Sequence, residues 1–253
     1  MIRLFHISDL HFGLEDRRAL EWLVGLVRAE RPEGVVITGD FTMRARPREF
    51  AAAAQWIGEL GVPVTLDPGN HDLPYFNPVE RFVDPYRRFR ALEAGLGAKL
   101  DLPGLALVRL PTTARAQWRL NWSKGCVGAA ALARTLATLD ALPKDTPAIV
   151  TCHHPLVEAG TRGQALTRGG ERALAELARR QVLAVLSGHV HDAFDLVRET
   201  AHGPIRMIGA GTLSQRLRTT PPTFNELVLA DGQLECRPRR LDGVGAETFG
   251  RYR

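Results

Sequence analysis

A chain of 253 residues, 45% of them apolar and 24% charged, can bury one sizeable core and needs no second domain to do so. Its formal charge of +5 comes from arginines scattered singly or in pairs such as Arg17-Arg18, Arg87-Arg88 and Arg239-Arg240, which favours small anions and excludes a dedicated nucleic-acid-binding module. No apolar run approaches the roughly 18–20 residues of a membrane span, no signal peptide is expected at the start, and the three distant cysteines exclude a disulfide framework or a C-x-x-C zinc clip, so a cytoplasmic protein without membrane contact is expected.

Predicted strands and helices alternate along the chain. Ile2–Ser8 reads as a strand, and Glu15–Glu30 as a helix whose Leu20, Leu23, Val24 and Val27 form one apolar stripe. Val35–Thr38 is the next strand, followed by a helix that begins at Pro47 and turns Phe50, Ala53, Ala54, Ile57 and Leu60 inward. Val62–Leu66 leads into a turn at Asp67-Pro68-Gly69-Asn70-His71. Residues 73–125 predict loops around a short helix near Asp84–Glu93, then a strand at Leu105–Leu110, and no periodicity over Thr112–Gly125. Beyond them come a helix at Gly128–Leu142, a strand at Ala148–Cys152, a helix at Gly170–Arg180 and a strand at Val182–Ser187. The end, from Ile205 to Leu234, is strand-rich, and a tail from about residue 241 is expected to be loosely ordered. Repeated strand–helix units imply a layered α/β fold, whose ligand sites lie beyond the carboxyl ends of the strands.

Five short blocks stand at such ends: Asp9-Leu10-His11, Gly39-Asp40, Gly69-Asn70-His71-Asp72, His153-His154-Pro155 and Gly188-His189-Val190-His191. Six of the eight histidines fall inside them. Asp9 and His11, two apart in an extended segment, would point to one side and grip one ion. Asp40, after a glycine that permits a sharp turn, offers two oxygens and can bridge two cations. Asn70 adds a carbonyl oxygen, and His153, His189 and His191 add imidazole nitrogens. A set of N and O donors without thiolate suits two divalent or mixed-valence ions of Mn, Fe, Zn or Co. Two divalent ions against two carboxylates leave a surplus of positive charge for water and a phosphate oxygen, so phosphoester hydrolysis is the leading reaction class.

The blocks resemble the motifs of the calcineurin-like metallophosphoesterases. The opening Phe5-His6-Ile7-Ser8-Asp9-Leu10-His11-Phe12-Gly13 is similar to the bacterial branch of class III cyclic nucleotide phosphodiesterases and glycerophosphodiesterases. The resemblance covers about residues 2–230. It implies a single domain over residues 1–253, built as a four-layer α/β/β/α sandwich of two mixed β-sheets flanked by helices. It also implies a first metal on Asp9, His11, Asp40 and His191, and a second on Asp40, Asn70, His153 and His189. His71, oriented by Asp72, would support the leaving oxygen while a metal-bound hydroxide attacks phosphorus. The substrate implied is a small anionic phosphoester, with 3′,5′-cyclic nucleotides as the first choice. A glycerophosphodiesterase, another phosphomono- or diesterase, a nuclease and a non-catalytic scaffold remain as alternatives.

Single residues outside the ligand set have plainer readings. His6 is read as packing, His202 as a solvated loop residue, Asp67 as a turn residue and Cys152 as small and buried. His154 is either a neighbour of the ligands or a substrate contact. Trp118 and Trp122 are read as packing residues, with stacking on a nucleobase left open. Arg44, Arg46 and Arg115 are candidates for gripping phosphate. Residues 111–125 match no pattern, and substrate choice is expected there. Edge strands or the loops near residues 73–90 leave a homo-oligomer open.

Overall fold

Alternation of side chains along the strands decides the architecture. The computed structural model describes residues 1–96, 100–118 and 121–241. In chain order it contains β1 (Ile2–Ile7), α1 (Arg17–Glu30), β2 (Gly34–Ile37), α2 (Pro47–Leu60), β3 (Val64–Leu66), α3 (Pro78–Val83), α4 (Arg87–Gly95) and β4 (Ala106–Arg109). There follow α5 (Ala129–Asp140), β5 (Ala148–Thr151), α6 (Gly170–Arg179), β6 (Ala184–Ser187), β7 (Phe194–Thr200), β8 (Gly203–Gly209), β9 (Thr223–Ala230) and β10 (Gln233–Arg240). One sheet has the order β10-β9-β1-β2-β3 and the other β4-β5-β6-β8-β7. Both are mixed: β1, β2 and β3 run parallel, as do β4, β5, β6 and β8, while β9, β10 and β7 pair antiparallel.

In β1, Phe5 and Ile7 pack with Leu23, Val27, Ile57 and Leu60 of α1 and α2. Leu4, one residue before Phe5 and so on the opposite face of the strand, instead joins Val36, Ile149, Leu186 and Ile208 in a cluster between the two sheets. In β5, Val150 packs with Leu132 of α5 and Leu174 of α6, while Ile149 faces the other sheet. Each sheet therefore buries one face on helices and the other on its partner, which is the expected α/β/β/α sandwich.

Local signals account for the helix ends. Asp16 caps α1 by accepting from the Ala19 amide at 3.1 Å, and α1 ends at Arg31, in the left-handed region at φ 49°. Pro47 opens α2 and Gly61 closes it. The helix expected near Asp84–Glu93 is α4, and a further helix, α3, precedes it where a loop was expected. Asn77 caps α3 through the Glu80 amide with Pro78 in its first turn, and Asp84-Pro85-Tyr86 separates it from α4. The edge strands β7 and β10 were not expected as strands, because Asp195, Arg198 and Glu199 in one and Arg237, Pro238, Arg239 and Arg240 in the other hide the pattern. Charge and proline on an edge are what keep it from pairing with another chain. The expected loose tail, from residue 242 onward, lies outside the described residues. Among the described residues, no helix is long and apolar enough to cross a membrane.

Candidate metal centre

Five parallel strands deliver the five blocks to one place. β1, β2 and β3 of one sheet end at Asp9, Asp40 and the short 3₁₀ turn Asn70–Asp72, and β5 and β6 of the other end at His153 and Gly188. Two groups of donor atoms result. In the first, His191 Nε2 lies 3.1 Å from Asp9 Oδ1 and 3.1 Å from His11 Nε2, and His11 Nε2 lies 3.5 Å from Asp9 Oδ1. In the second, His153 Nε2 lies 3.3 Å from Asp40 Oδ2 and 3.1 Å from Asn70 Oδ1, which is 3.0 Å from His189 Nδ1. Asp40 Oδ2 is also 3.8 Å from His11 Nε2, so this one carboxylate touches both groups.

These spacings are compatible with a cation site. Bonds of roughly 2.0–2.2 Å from an ion to N and O donors hold neighbouring donors about 3.0–3.5 Å apart. Asp9 Oδ1 is buried without a hydrogen-bond partner. Asn70 sets its carbonyl oxygen against two ring nitrogens, although turning the amide over would let it donate to both. A cation among these atoms makes the observed orientation the favourable one. The outer ring nitrogens fix the inner ones: His153 Nδ1 donates to Thr38 O and His191 Nδ1 to Arg216 O, each at 2.7 Å. A carbonyl only accepts, so in their neutral form both rings turn an Nε2 lone pair inward.

The backbone at these residues departs from the extended form expected of it. β1 ends at Ile7, and Asp9 and His11 both sit in the left-handed region, at φ 57° and 47°. Asp40, His189 and His191 do likewise at 55°, 68° and 62°. For a residue with a Cβ this conformation costs about 1–3 kcal/mol, which the hydrogen bonds of the loops offset. Asp9 N donates to Gly39 O, His11 N to Asp40 O and His189 N to Asp9 Oδ2. Gly39, at φ 97°, makes the sharp turn expected of it. Gly69 lets two strand ends close on each other, since a Cβ there would fall 2.1 Å from Asp40 Oδ1.

Electrostatics follow from burial and charge. Against the effect of burial, the imidazoles of His153 and His71 hold the Asp40 carboxyl well below the usual range. Burial lowers His153, but Asp40 and Asp9 lift it to about 9. Burial brings His11 down to about 4 despite Asp9 and Asp40. Asp72 is pushed up to about 7, first by burial and then by the charge of Asp40.

Asp72 does not orient the His71 ring as expected. Its oxygens accept from the Thr42 amide, the Thr42 hydroxyl and the Gly69 amide, and so brace the loop backbone. The His71 ring is oriented by Met43 O, 2.7 Å from Nδ1, and its Nε2 faces Arg216 Nη1 at 3.0 Å. His154, for all its nearness to His153 and His189, has both nitrogens engaged, by Thr112 Oγ1 and by Ser123 O, each at 2.9 Å. It ties residues 112 and 123 to the centre and offers no free donor atom. His6 packs between strands against Thr38 and Asn225 as expected, and His202 is exposed beside Arg179. Asp67 is buried on Arg109, which joins β3 to β4 across the sheets. Trp118 is 98% exposed, which overturns its packing reading, whereas Trp122 packs edge-on to Phe82.

A cavity of about 280 Å³ opens over Asp40, Asn70, His71, His189 and His191, and its other walls include Lys124, Arg162, Arg216 and Arg218. None of the arginines expected to grip phosphate lines it; Arg44 lines a neighbouring cavity instead. Arg216 went unnoticed because it stands in a loop among many arginines. Its Nη1 is 3.3 Å from His11 Nε2 as well as 3.0 Å from His71 Nε2, and among the described residues it has no carboxylate partner. The loop is pinned from Asp9, whose carbonyl accepts from Thr212, to His191, which donates to the Arg216 carbonyl.

Comparison with known proteins identifies relatives of the chain. The family model described as calcineurin-like phosphoesterase matches residues 2–193. A protein of Synechococcus sp. named as a probable cyclic nucleotide phosphodiesterase is 27% identical over 209 residues, 76% of this chain and 74% of that one. The glycerophosphodiester phosphodiesterase GpdQ of Enterobacter lignolyticus is 36% identical over 94 residues, which cover 30% of this chain and only 33% of that protein. Among solved structures, a dimetal phosphatase from Danio rerio superposes with a TM-score of 0.68 at 16% identity, covering 98% of this chain and 99% of its own. Purple acid phosphatase PPD1 from yellow lupin superposes at 0.70 and 13% identity, over 98% of this chain and 52% of its own. At such identities these two likenesses establish the fold.

Proposed function

The chain belongs to the calcineurin-like phosphoesterases, and from that premise we propose that this metal-dependent phosphoester hydrolase is a cytoplasmic dinuclear phosphodiesterase acting on 3′,5′-cyclic nucleotides. The observation that carries the reading is the contact of Asp40 with both donor groups, 3.8 Å from His11 and 3.3 Å from His153. Asp9, His11, Asp40 and His191 would hold one ion and Asp40, Asn70, His153 and His189 the other, with Mn, Fe, Zn or Co suited to these donors. Ions so held would activate water and neutralise the phosphoryl oxygens.

The chain's own residues do the rest. Arg216, at 3.0 Å from His71 Nε2, takes a phosphoryl oxygen of the substrate. In doing so it leaves His71, whose Nε2 then faces the departing oxygen while Met43 O keeps the ring in place. Asp72 keeps the Asn70–His71 turn against Thr42. Lys124, Arg162 and Arg218 make the cavity attractive to an anion. Free cysteines, two of them buried, suit the cytoplasm.

The likeness to the Synechococcus protein over three quarters of the chain supports the cyclic nucleotide as substrate. The local likeness to GpdQ favours a second reading, a glycerophosphodiester. Protein reconstituted with each metal and offered cyclic nucleotides, glycerophosphodiesters, phosphomonoesters and single-stranded nucleic acid separates them. Turnover of the cyclic nucleotide at the highest kcat/KM is expected. Preference for monoesters or nucleic acid would overturn the proposal.

A further inference from the structure

Asn70, His71 and Ser123 are shared walls: on one side lies the cationic cavity, and on the other a cavity of about 310 Å³. The second is mainly apolar, with Leu73, Tyr75, Phe76 and Trp122 in its walls beside the polar Arg44, Arg81 and Asn121. An adjoining hollow of about 520 Å³ shares Tyr75, Arg81, Asn121, Trp122 and Ser123 with it, so together they have the room of a small-molecule site, which runs to roughly 300–1,000 Å³.

Two features of this cavity call for a ligand. Tyr75 and Phe76 stand 73% and 70% exposed at its mouth, edge to face with ring centroids 5.5 Å apart, although aromatic rings gain most from being covered. Arg81 is 6% exposed and has no carboxylate partner among the described residues, its neighbour Glu80 being taken by Arg87 and Arg88. Burial lowers the Arg81 pKa, as befits a charge without a counter-ion. Its Nε donates to Arg115 O at 2.8 Å and its Nη2 to Ala114 O at 3.0 Å, leaving other N–H groups beside the cavity. The guanidinium lies 5.7 Å from the Trp122 ring. Aromatic walls and an arginine with unused donors match a planar heterocycle that carries acceptor atoms on its rim. A glycerol group has no π-face to cover the rings.

We propose that this second cavity seats the nucleobase of the substrate, stacked on Trp122 and Tyr75 with Arg81 donating to its ring acceptors, and so selects nucleotides over alkyl phosphodiesters. The orientation rests on the phosphodiesterase reading above, because the phosphoester must reach the wall formed by Asn70 and His71.

Two measurements on the full metal-reconstituted chain test it. Adenosine and guanosine, which contain no phosphorus, should quench tryptophan fluorescence saturably, and Trp122→Phe should remove that quench. Trp122→Ala and Tyr75→Ala should each raise KM for the cyclic nucleotide about 5- to 100-fold, as loss of base stacking does, with kcat and kinetics on a glycerophosphodiester changed less than about twofold. Tyr75 is exposed enough that its removal does not threaten folding. Failure of both nucleosides to bind, or equal KM changes on the two substrates, overturns the proposal whatever the enzyme turns over. Nucleoside binding that depends on Trp122, without turnover of the cyclic nucleotide, upholds the cavity and rejects the substrate named under the function.

Discussion

Replacing Arg216 by Met tests whether the loop after β8 grips phosphate. In the structure its Nη1 is 3.0 Å from His71 Nε2 and 3.3 Å from His11 Nε2, and no carboxylate among the described residues neutralises it. A phosphoryl oxygen at about 4 Å from that charge would gain about 4 kcal/mol at an effective dielectric constant of about 20. The cavity is open to water, so the net worth is nearer the 1.5–3 kcal/mol of a charge-assisted hydrogen bond. The expected loss in kcat/KM is therefore about 10- to 150-fold. The group that supports His191 is the backbone carbonyl of Arg216, which Met retains, so metal content should not change. Arg216→Lys keeps a point charge without the planar fork and should recover part of the loss. Steady-state kinetics and the inhibition constant of inorganic phosphate, both at equal metal occupancy, provide the readout. Values within twofold of the wild type would refute the assignment.

Asp40→Ala should empty both metal positions, because it removes the carboxylate that touches both donor groups; full dinuclear occupancy by elemental analysis would reject the bridge. Metal binding at pH 7 should release protons, since Asp40 and Asp9 lift His153 to about 9 against burial and the ring must lose that proton to become a ligand. Affinity then rises with pH towards 9, and calorimetry in buffers of different ionisation enthalpy should give different heats; equal heats would refute it. Arg109→Met leaves the Asp67 carboxyl, 4% exposed, without its cation, and should destabilise the fold by about 2–3 kcal/mol once the one-third exposure of Arg109 is allowed for. Burial already holds Asp67 above its ordinary value. The folded pKa thus exceeds the unfolded one, the penalty is absent at low pH, and the deficit in melting temperature should widen from pH 5 to pH 8. A deficit independent of pH would mean that Asp67 is not its source.

Much was legible in the primary structure because its signals are local. Metal-binding residue types at the ends of apolar runs, helix stripes such as Leu20, Leu23, Val24 and Val27, and Pro47 at a helix start depend on neighbours in sequence. Where the reading erred, solvent or backbone geometry had blurred the pattern. The edge strands β7 and β10 carry charge because one side faces water. Asp9 and His11 converge through left-handed backbone, which no side-chain alternation reports.

The amino-acid order alone determined the layered fold class and which residues form the five blocks, since periodicity and residue chemistry are properties of short segments. Tertiary structure decided which atoms meet. It set Asp40 between two donor groups, turned His153 and His191 inward through carbonyls from distant loops, committed both nitrogens of His154 elsewhere, and carried Arg216 to His71 across 145 positions of chain. Such contacts arise from the packing of sheet on sheet and loop on loop, and nothing in the spacing of the residues encodes them.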